Sequence, residues 1–235
     1  TFVGGDINDD NGHGTMTATN SAGSHDNGDY IGVAPDSKLI VGKVFTAAGS
    51  GPSITDSVRW AADEGALVIN YSGGGGSPYE PTRDAIQYAN EKGCLVFVSS
   101  GNAGPNSKNW PAYFSNCISV GAIRQDGKLA SFSSTNQSVD CAAPGEQVTV
   151  GNRNGGYSKV NGTSFSCPWM SGFAALVLEL RLKQGLPLFK NLDEFMTFLV
   201  TNSVGDVDPN TSWNYGVPSI MKVLESMAND SLIWF

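Results

Sequence analysis

Short runs of apolar residues alternate along the chain with segments whose apolar residues recur at helical spacing. Four runs predict strands: Lys38–Val44, Ala66–Asn70, Cys94–Val98 and Ile118–Ala122. Helical spacing predicts one helix that Ser53 caps and another over Pro81–Lys92 that ends at Gly93. Strands that are apolar throughout and separated by helices are typical of βαβ units. The pattern therefore predicts a three-layer α/β fold with a mostly parallel central sheet and helices on both faces.

Two further helices are predicted in the C-terminal third. The segment Phe165–Leu182 is strongly apolar and predicts a central, buried helix. Asp193–Val200 predicts a shorter amphipathic helix with Asn191 or Asp193 as its cap. No internal repeat and no low-complexity linker interrupts the sequence, so we expect residues 1–235 to belong to one domain.

Composition and charge exclude several classes of protein. Of the 235 residues, 40% are hydrophobic and 15% are charged, which is unlike a disordered chain. The formal net charge of −8 argues against binding to a phosphate backbone, so we expect no nucleic-acid partner. No uninterrupted apolar run reaches membrane-spanning length, so we expect no membrane span. The 29 glycines indicate many tight turns, or backbone that lines a site.

The four cysteines do not have the spacing of a zinc site. They are Cys94, Cys117, Cys141 and Cys167. Three of them lie in or beside apolar runs, which favours buried small hydrophobic residues. A disulfide between neighbouring strands remains the alternative, because pairing cannot be deduced from sequence.

Three polar residues stand in glycine-containing segments that suit catalysis, although each has an ordinary structural explanation. His13 lies between two glycines before a helix-compatible run and could be a turn residue. Ser164 opens the most apolar helix, where it could be a cap or a nucleophile that the helix dipole favours. Asn102 follows a predicted strand and could be a turn residue or an oxyanion donor.

Taken together, these segments resemble the motifs of the subtilisin-like serine proteases, the subtilases. NGHGTMTA is similar to the family's histidine motif, SSGNAGP to its oxyanion-asparagine motif and NGTSFSCP to its nucleophile motif. The order of the three motifs also agrees, and the similarity covers essentially the whole chain. The glycine runs complete no G-x-G-x-x-G turn, so dinucleotide binding is the weaker interpretation.

The resemblance implies a serine endopeptidase that needs no cofactor for catalysis. Ser164 would attack the scissile carbonyl of a polypeptide substrate, His13 would transfer its proton, and Asn102 would stabilise the oxyanion. The residues matching the segments that hold an extended substrate are Ser50, Gly51, Pro52, Ser72, Gly73 and Gly74. Ser99, Ser100 and Gly101 match one wall of the pocket for the residue before the cut, and Asn109 matches its base. Asn109 stands where glycine is frequent in the family, and Gly73 where a larger apolar residue is common.

The family's third catalytic residue, an aspartate at the end of its first strand, has no match in this chain. Asp6, Asp9 and Asp10 precede His13 but follow no apolar strand, so we expect none of them to complete the triad. Loss of a central strand would leave buried backbone groups unpaired, at about 1–3 kcal/mol each, against a net stability of about 5–15 kcal/mol. We therefore expect the strand and its aspartate in a separate N-terminal polypeptide, left by internal cleavage or present as another chain. A subtilase-like scaffold that binds without turnover is the alternative.

The resemblance also implies a structural calcium site after His13. The Asp26 side chain and the carbonyls of Ser24, Gly28 and Tyr30 match its ligands, and oxygen-only ligation suits Ca²⁺. A solvated acidic turn is the equally open alternative. The family further suggests a propeptide or protein inhibitor as a partner, with zymogen processing, and secretion as the destination.

Overall fold

The computed structural model describes residues 1–3, 5–25, 30–46, 49–50, 54–204 and 216–230, with the backbone alone for residues 49–50, 204 and 227–230. The helices are α1 (His13–Ala22), α2 (Ile54–Asp63), α3 (Glu80–Glu91), α4 (Thr163–Lys183), α5 (Leu192–Thr201) and α6 (Ile220–Asp230). The longer strands are β3 (Val68–Tyr71), β4 (Leu95–Ser99), β5 (Ile118–Ile123), β6 (Cys141–Pro144), β7 (Val148–Gly151) and β8 (Tyr157–Val160). Four two-residue strands are β1 (Phe45–Thr46), β2 (Gly49–Ser50), β9 (Ser203–Val204) and β10 (Val217–Pro218).

A four-stranded parallel sheet forms the centre of the described structure. Its strand order is β3-β4-β5-β6, and each neighbouring pair is parallel. Every residue of β4 and β5 is buried, as expected for parallel strands that are covered on both faces. β1 with β2, β7 with β8 and β9 with β10 form separate antiparallel pairs.

Side chains of β4 point alternately into two hydrophobic clusters on opposite faces of the sheet. Leu95 and Phe97 pack with residues of α4 and α5, whereas Val96 and Val98 pack with residues of α2 and α3. Successive strand residues face opposite sides, so the two clusters place helices on both faces. The prediction of a three-layer α/β fold is confirmed.

The predicted helices are present with boundaries close to those expected. Asn191 caps α5, because its side-chain oxygen accepts a hydrogen bond from the Glu194 N–H at 2.9 Å. Gly93 follows α3 with a φ of 88°, a left-handed conformation that glycine adopts without steric cost. Ser53, the expected cap of α2, lies outside the described residues.

The prediction of a strand over Lys38–Val44 is wrong. This segment forms no ladder with any described strand, and only Phe45–Thr46 after it pairs. Leu39, Ile40 and Val41 are 52%, 42% and 70% exposed. The apolar pattern alone does not make a strand, because a strand needs a neighbour for its backbone groups.

All four cysteines are buried free thiols. Burial raises the pKa of Cys117, Cys141 and Cys167, which are therefore neutral small hydrophobic residues rather than reactive thiolates. The prediction of buried thiols is confirmed, and the disulfide alternative is wrong. Across the described parts of the chain, no helix combines the length and apolar character needed to cross a membrane.

Candidate active site

Ser164 is the second residue of α4 and lies at the N-terminal end of that buried helix. Gly162 precedes the helix with a φ of 152°, and its N–H donates to the carbonyl of Gly145 at 2.8 Å. The Ser164 Oγ lies 3.5 Å from the carbonyl oxygen of Ser72, just beyond β3. No described residue accepts a hydrogen bond from the Ser164 N–H, as expected for a first helical turn. The hydroxyl thus lies where the dipole of α4 favours negative charge.

Asn102 is fixed beside Ser164 by Thr163, the first residue of α4. Its side-chain oxygen accepts hydrogen bonds from the N–H and the hydroxyl of Thr163, both at 2.9 Å. A backbone N–H can only donate, so these contacts determine which side of the amide carries the oxygen. The Asn102 NH₂ group makes neither of these bonds and can donate to another acceptor. The residue is exposed. The amide therefore presents its donors to solvent next to Ser164.

His13 is the first residue of α1, which packs against α4. Its ring centroid lies 5.9 Å from that of Phe165 and 6.2 Å from that of Phe45. The buried Asn20 amide of α1 donates to the Phe165 carbonyl at 2.6 Å and joins the two helices. The fold thus brings His13, Ser164 and Asn102 to one region, although the His13 ring makes no hydrogen bond to any described residue.

Burial lowers the pKa of His13 below its ordinary value of 6.5, and the negative charge of Asp9 partly opposes this effect. A lowered pKa keeps the imidazole neutral at neutral pH, which is the state that a general base needs.

Two of the segments predicted to contact substrate form two walls beside Ser164. Ser72, Gly73 and Gly74 follow β3, and Ser99 ends β4 before Ser100 and Gly101. In the other predicted segment, Ser50 pairs in register with Phe45, whereas Gly51 and Pro52 lie outside the described residues.

The Asn109 side chain fills the space between the two walls. Its amide donates to the carbonyl of Ser99 at 2.9 Å. A Cβ on Gly74 would lie 2.4 Å from the Asn109 Nδ2, and one on Gly101 would lie 2.9 Å from the Asn109 Cβ. The neighbouring Trp110 exchanges two backbone hydrogen bonds with Gly75, both 2.8 Å long. The glycines of the walls thus leave the volume that the asparagine occupies.

No described carboxylate is hydrogen-bonded to the His13 ring. Asp6 binds Asn8, and Asp10 pairs with Lys43 at 3.5 Å. Asp9 accepts hydrogen bonds from backbone groups at the start of α1. Burial raises the pKa of Asp9, but hydrogen bonds from Thr15, Gly12 and Asn11 together lower it to about 2.

The predicted calcium ligands are only partly described. Ser24 is exposed, and the Tyr30 hydroxyl donates to the Thr19 carbonyl at 3.2 Å, while Asp26 and Gly28 lie outside the described residues. Gly32 closes the base of this loop by donating to the Gly23 carbonyl at 2.9 Å. Over the described ranges, no three histidine, cysteine or acidic side chains cluster as metal ligands.

Sequence reasoning missed three residues that hold the site together. Thr163 orients Asn102, Asn20 joins α1 to α4, and Asp9 supports the turn before His13. The first two contacts join residues 61 and 145 positions apart, and no periodicity along the chain marks them.

The family model described as the Subtilase family matches residues 4–216. The chain belongs to the subtilase family of serine endopeptidases.

Individual subtilases agree with this assignment. Subtilisin Savinase from Lederbergia lenta is 38% identical over 195 residues, which are 81% of this chain and 71% of the relative. An alkaline protease from Alkalihalobacillus alcalophilus is equally similar over the same share of this chain but only 50% of its own length. Thermitase from Thermoactinomyces vulgaris is 36% identical over 170 residues, 71% of this chain and 61% of the relative.

Two solved structures share the fold. The prenylagaramide maturation protease PagA superimposes with a TM-score of 0.80 at 28% identity, over 91% of this chain and 82% of that one. Sphericase superimposes with a TM-score of 0.78 at 26% identity, over 93% and 83%.

Proposed function

We propose that this subtilase hydrolyses peptide bonds through an acyl-enzyme, with Ser164 as nucleophile and His13 as general base. His13 takes the proton of the Ser164 hydroxyl as its oxygen bonds to the scissile carbonyl carbon. The proton then passes to the leaving amine as the C–N bond breaks. Water attacks the ester in the same manner and releases the acid. We further propose that residues 1–235 are the larger, C-terminal part of a subtilase catalytic domain.

The orientation of Asn102 is the observation that carries this proposal. Because Thr163 occupies its side-chain oxygen, the amide offers only donors beside the nucleophile. The N–H of Ser164, free of described acceptors, adds a second donor at a helix N-terminus. Two such donors suit the oxyanion of a tetrahedral intermediate.

The third catalytic carboxylate is proposed to come from a strand outside the 235 residues. β3 lies at the edge of the described sheet, where a covered parallel strand would be expected. Val44 packs in the same cluster as Ile69 of β3, yet the segment before it pairs with no described strand and exposes Leu39, Ile40 and Val41. A strand between this segment and β3 would provide hydrogen-bond partners for the backbone groups of both. It would end near His13.

Mass spectrometry of the protein isolated in its folded state tests the source of that strand. We expect a second polypeptide, or a longer chain, that carries an aspartate after an apolar run. A preparation that contains only the 235-residue species and still reacts at Ser164 would contradict the proposal.

The substrate is proposed to be an extended polypeptide that lies along Ser50, Gly51 and Pro52 on one side and Ser72, Gly73 and Gly74 on the other. Ser99, Ser100 and Gly101 would form a wall of the pocket for the residue before the cut. Asn109 between the walls leaves room for a small side chain there. A propeptide or protein inhibitor would bind the same groove.

A structural calcium ion in the loop 24–30 is a further proposal. The donors would be the Asp26 carboxylate and the carbonyls of Ser24, Gly28 and Tyr30, a set that contains only the oxygen ligands that Ca²⁺ prefers. We expect calcium to raise the melting temperature, and Asp26→Asn to remove that rise. We also propose that the protein is secreted, where calcium is plentiful.

Labelling with a fluorophosphonate tests the catalytic proposal directly. We expect one adduct, located at Ser164 by peptide mapping and absent from Ser164→Ala. The lack of a hydrogen-bonded carboxylate on His13 among the described residues favours the second candidate, a scaffold that binds without turnover. Folded protein that remains unlabelled would support that candidate instead.

A further inference from the structure

The carboxylate of Asp9 accepts four hydrogen bonds, two from the turn before α1 and two from Thr15 in its first turn. One oxygen accepts from the N–H groups of Asn11 and Gly12, at 3.1 and 2.6 Å. The other accepts from the N–H and the hydroxyl of Thr15, at 2.7 and 2.6 Å. Charge-assisted hydrogen bonds of this kind are about twice as strong as neutral ones. Asp9 therefore fixes backbone on both sides of His13.

The residue that precedes α1 cannot supply this support itself. Gly12 has no side chain and adopts a left-handed φ of 97°, which leaves the first N–H groups of the helix without the usual cap. Asp9, three residues before Gly12, accepts instead from the Thr15 N–H of this first turn, and the Asn11 side chain accepts from the His13 N–H at 3.2 Å. The position of His13 thus depends on a side chain outside the helix.

The negative charge of Asp9 raises the pKa of His13, and the other charged side chains named near this turn bond to one another or to backbone. The ring otherwise contacts Phe45 and Phe165, which carry no charge. Asp10 pairs with Lys43. The exposed Arg153 donates to the backbone carbonyl of Asp9 at 2.8 Å. With a pKa of about 2, Asp9 keeps its charge throughout the range in which His13 titrates.

We propose that Asp9 is a positioning residue for His13, which holds the turn that starts α1 and keeps a negative charge near the imidazole as it takes up the proton of Ser164. This inference rests on the proposed role of His13 as general base. Asp9 does not complete the triad, because all four of its hydrogen bonds go to the turn and to Thr15.

The titration of His13 by NMR tests the electrostatic part without requiring turnover. The chain has two histidines, so His25→Gln assigns the signals. In Asp9→Asn, and in Asp9→Ser as a second variant that retains an acceptor, we expect the His13 midpoint to move to lower pH. Asp10→Asn, which removes the same charge one residue away, is the matched control and should not move it. Equal midpoints in folded Asp9→Asn, Asp9→Ser and Asp10→Asn would overturn the proposal.

Kinetics test the positioning part. In Asp9→Asn we expect kcat to fall, by up to about 10²-fold if the imidazole shifts by about 1 Å, with KM nearly unchanged. The acidic limb of kcat/KM should move to lower pH together with the NMR midpoint, whereas a merely structural loss would lower the rate without moving the limb. If the wild-type protein fails to react with a fluorophosphonate, the proposed function fails, but the NMR titration still decides the role of Asp9.

Discussion

Replacing Asn102 with alanine removes the side-chain donor that we assign to the oxyanion. Loss of one such donor typically lowers kcat by about 10²–10³-fold, which corresponds to about 2.7–4 kcal/mol of transition-state stabilisation. The substrate's ground-state carbonyl needs this donor less, so we expect KM to change little. The variant also removes the acceptor of two hydrogen bonds from Thr163, a buried residue, at a cost of about 1–3 kcal/mol in unfolding free energy.

A second variant separates catalysis from stability. Asn102→Asp keeps an oxygen for the Thr163 N–H and hydroxyl but carries no donor for the oxyanion. We therefore expect it to be more stable than Asn102→Ala and at least as slow. The assays are urea unfolding, kcat and KM on a peptide anilide, and the rate of fluorophosphonate labelling, which also develops negative charge on oxygen. An unchanged kcat in Asn102→Ala, or a preserved kcat in Asn102→Asp, would refute the role of Asn102 as a donor.

Three further predictions concern other parts of the subtilase. Activity should rise as His13 loses its proton, with a midpoint below the ordinary 6.5 because burial lowers its pKa; a flat pH–rate profile would contradict this. Asn109→Gly should raise kcat/KM for phenylalanine before the cut relative to alanine, whereas an unchanged ratio would show that Asn109 does not limit the pocket. Burial raises the pKa of Asp140 to about 7, although a hydrogen bond from the Ser119 N–H opposes the shift. The folded state therefore retains a proton on Asp140 that the unfolded state loses above about pH 4. Unfolding free energy should therefore fall between about pH 4 and 7, and Asp140→Asn should lessen that fall, as measured by urea unfolding at several pH values.

The sheet and its helices could be predicted from sequence where burial on both faces makes the pattern unambiguous. The run Cys94–Val98 lies within one residue of β4, and Pro81–Lys92 within one residue of α3. The same pattern wrongly predicted a strand at Lys38–Val44. A strand also requires a neighbouring strand for its backbone groups, and the apolar pattern of a segment does not reveal whether that neighbour is present.

The catalytic candidates could be found from their motifs, but the contacts that hold them could not. Helix-cap rules look for a polar side chain immediately before the helix, where this chain has Gly12. Asp9 caps from three residues earlier, which the left-handed turn at Gly12 makes possible. The bond from Asn20 to Phe165 depends on how α1 packs on α4, which spacing along the chain does not reveal.

Three consecutive residues at the start of α4 gather the parts of the site. Thr163 holds the amide of Asn102, Ser164 carries the hydroxyl that we propose as nucleophile, and the Phe165 carbonyl anchors the helix that begins at His13. The geometry of the site therefore depends on the order and spacing of these three residues. It depends less on whether the loops that connect Asn102, His13 and Ser164 are continuous. Proteolytic cleavage in a connecting loop would leave the site intact while the fragments stay associated. A one-residue insertion after Thr163 would instead separate Asn102 from both Ser164 and His13.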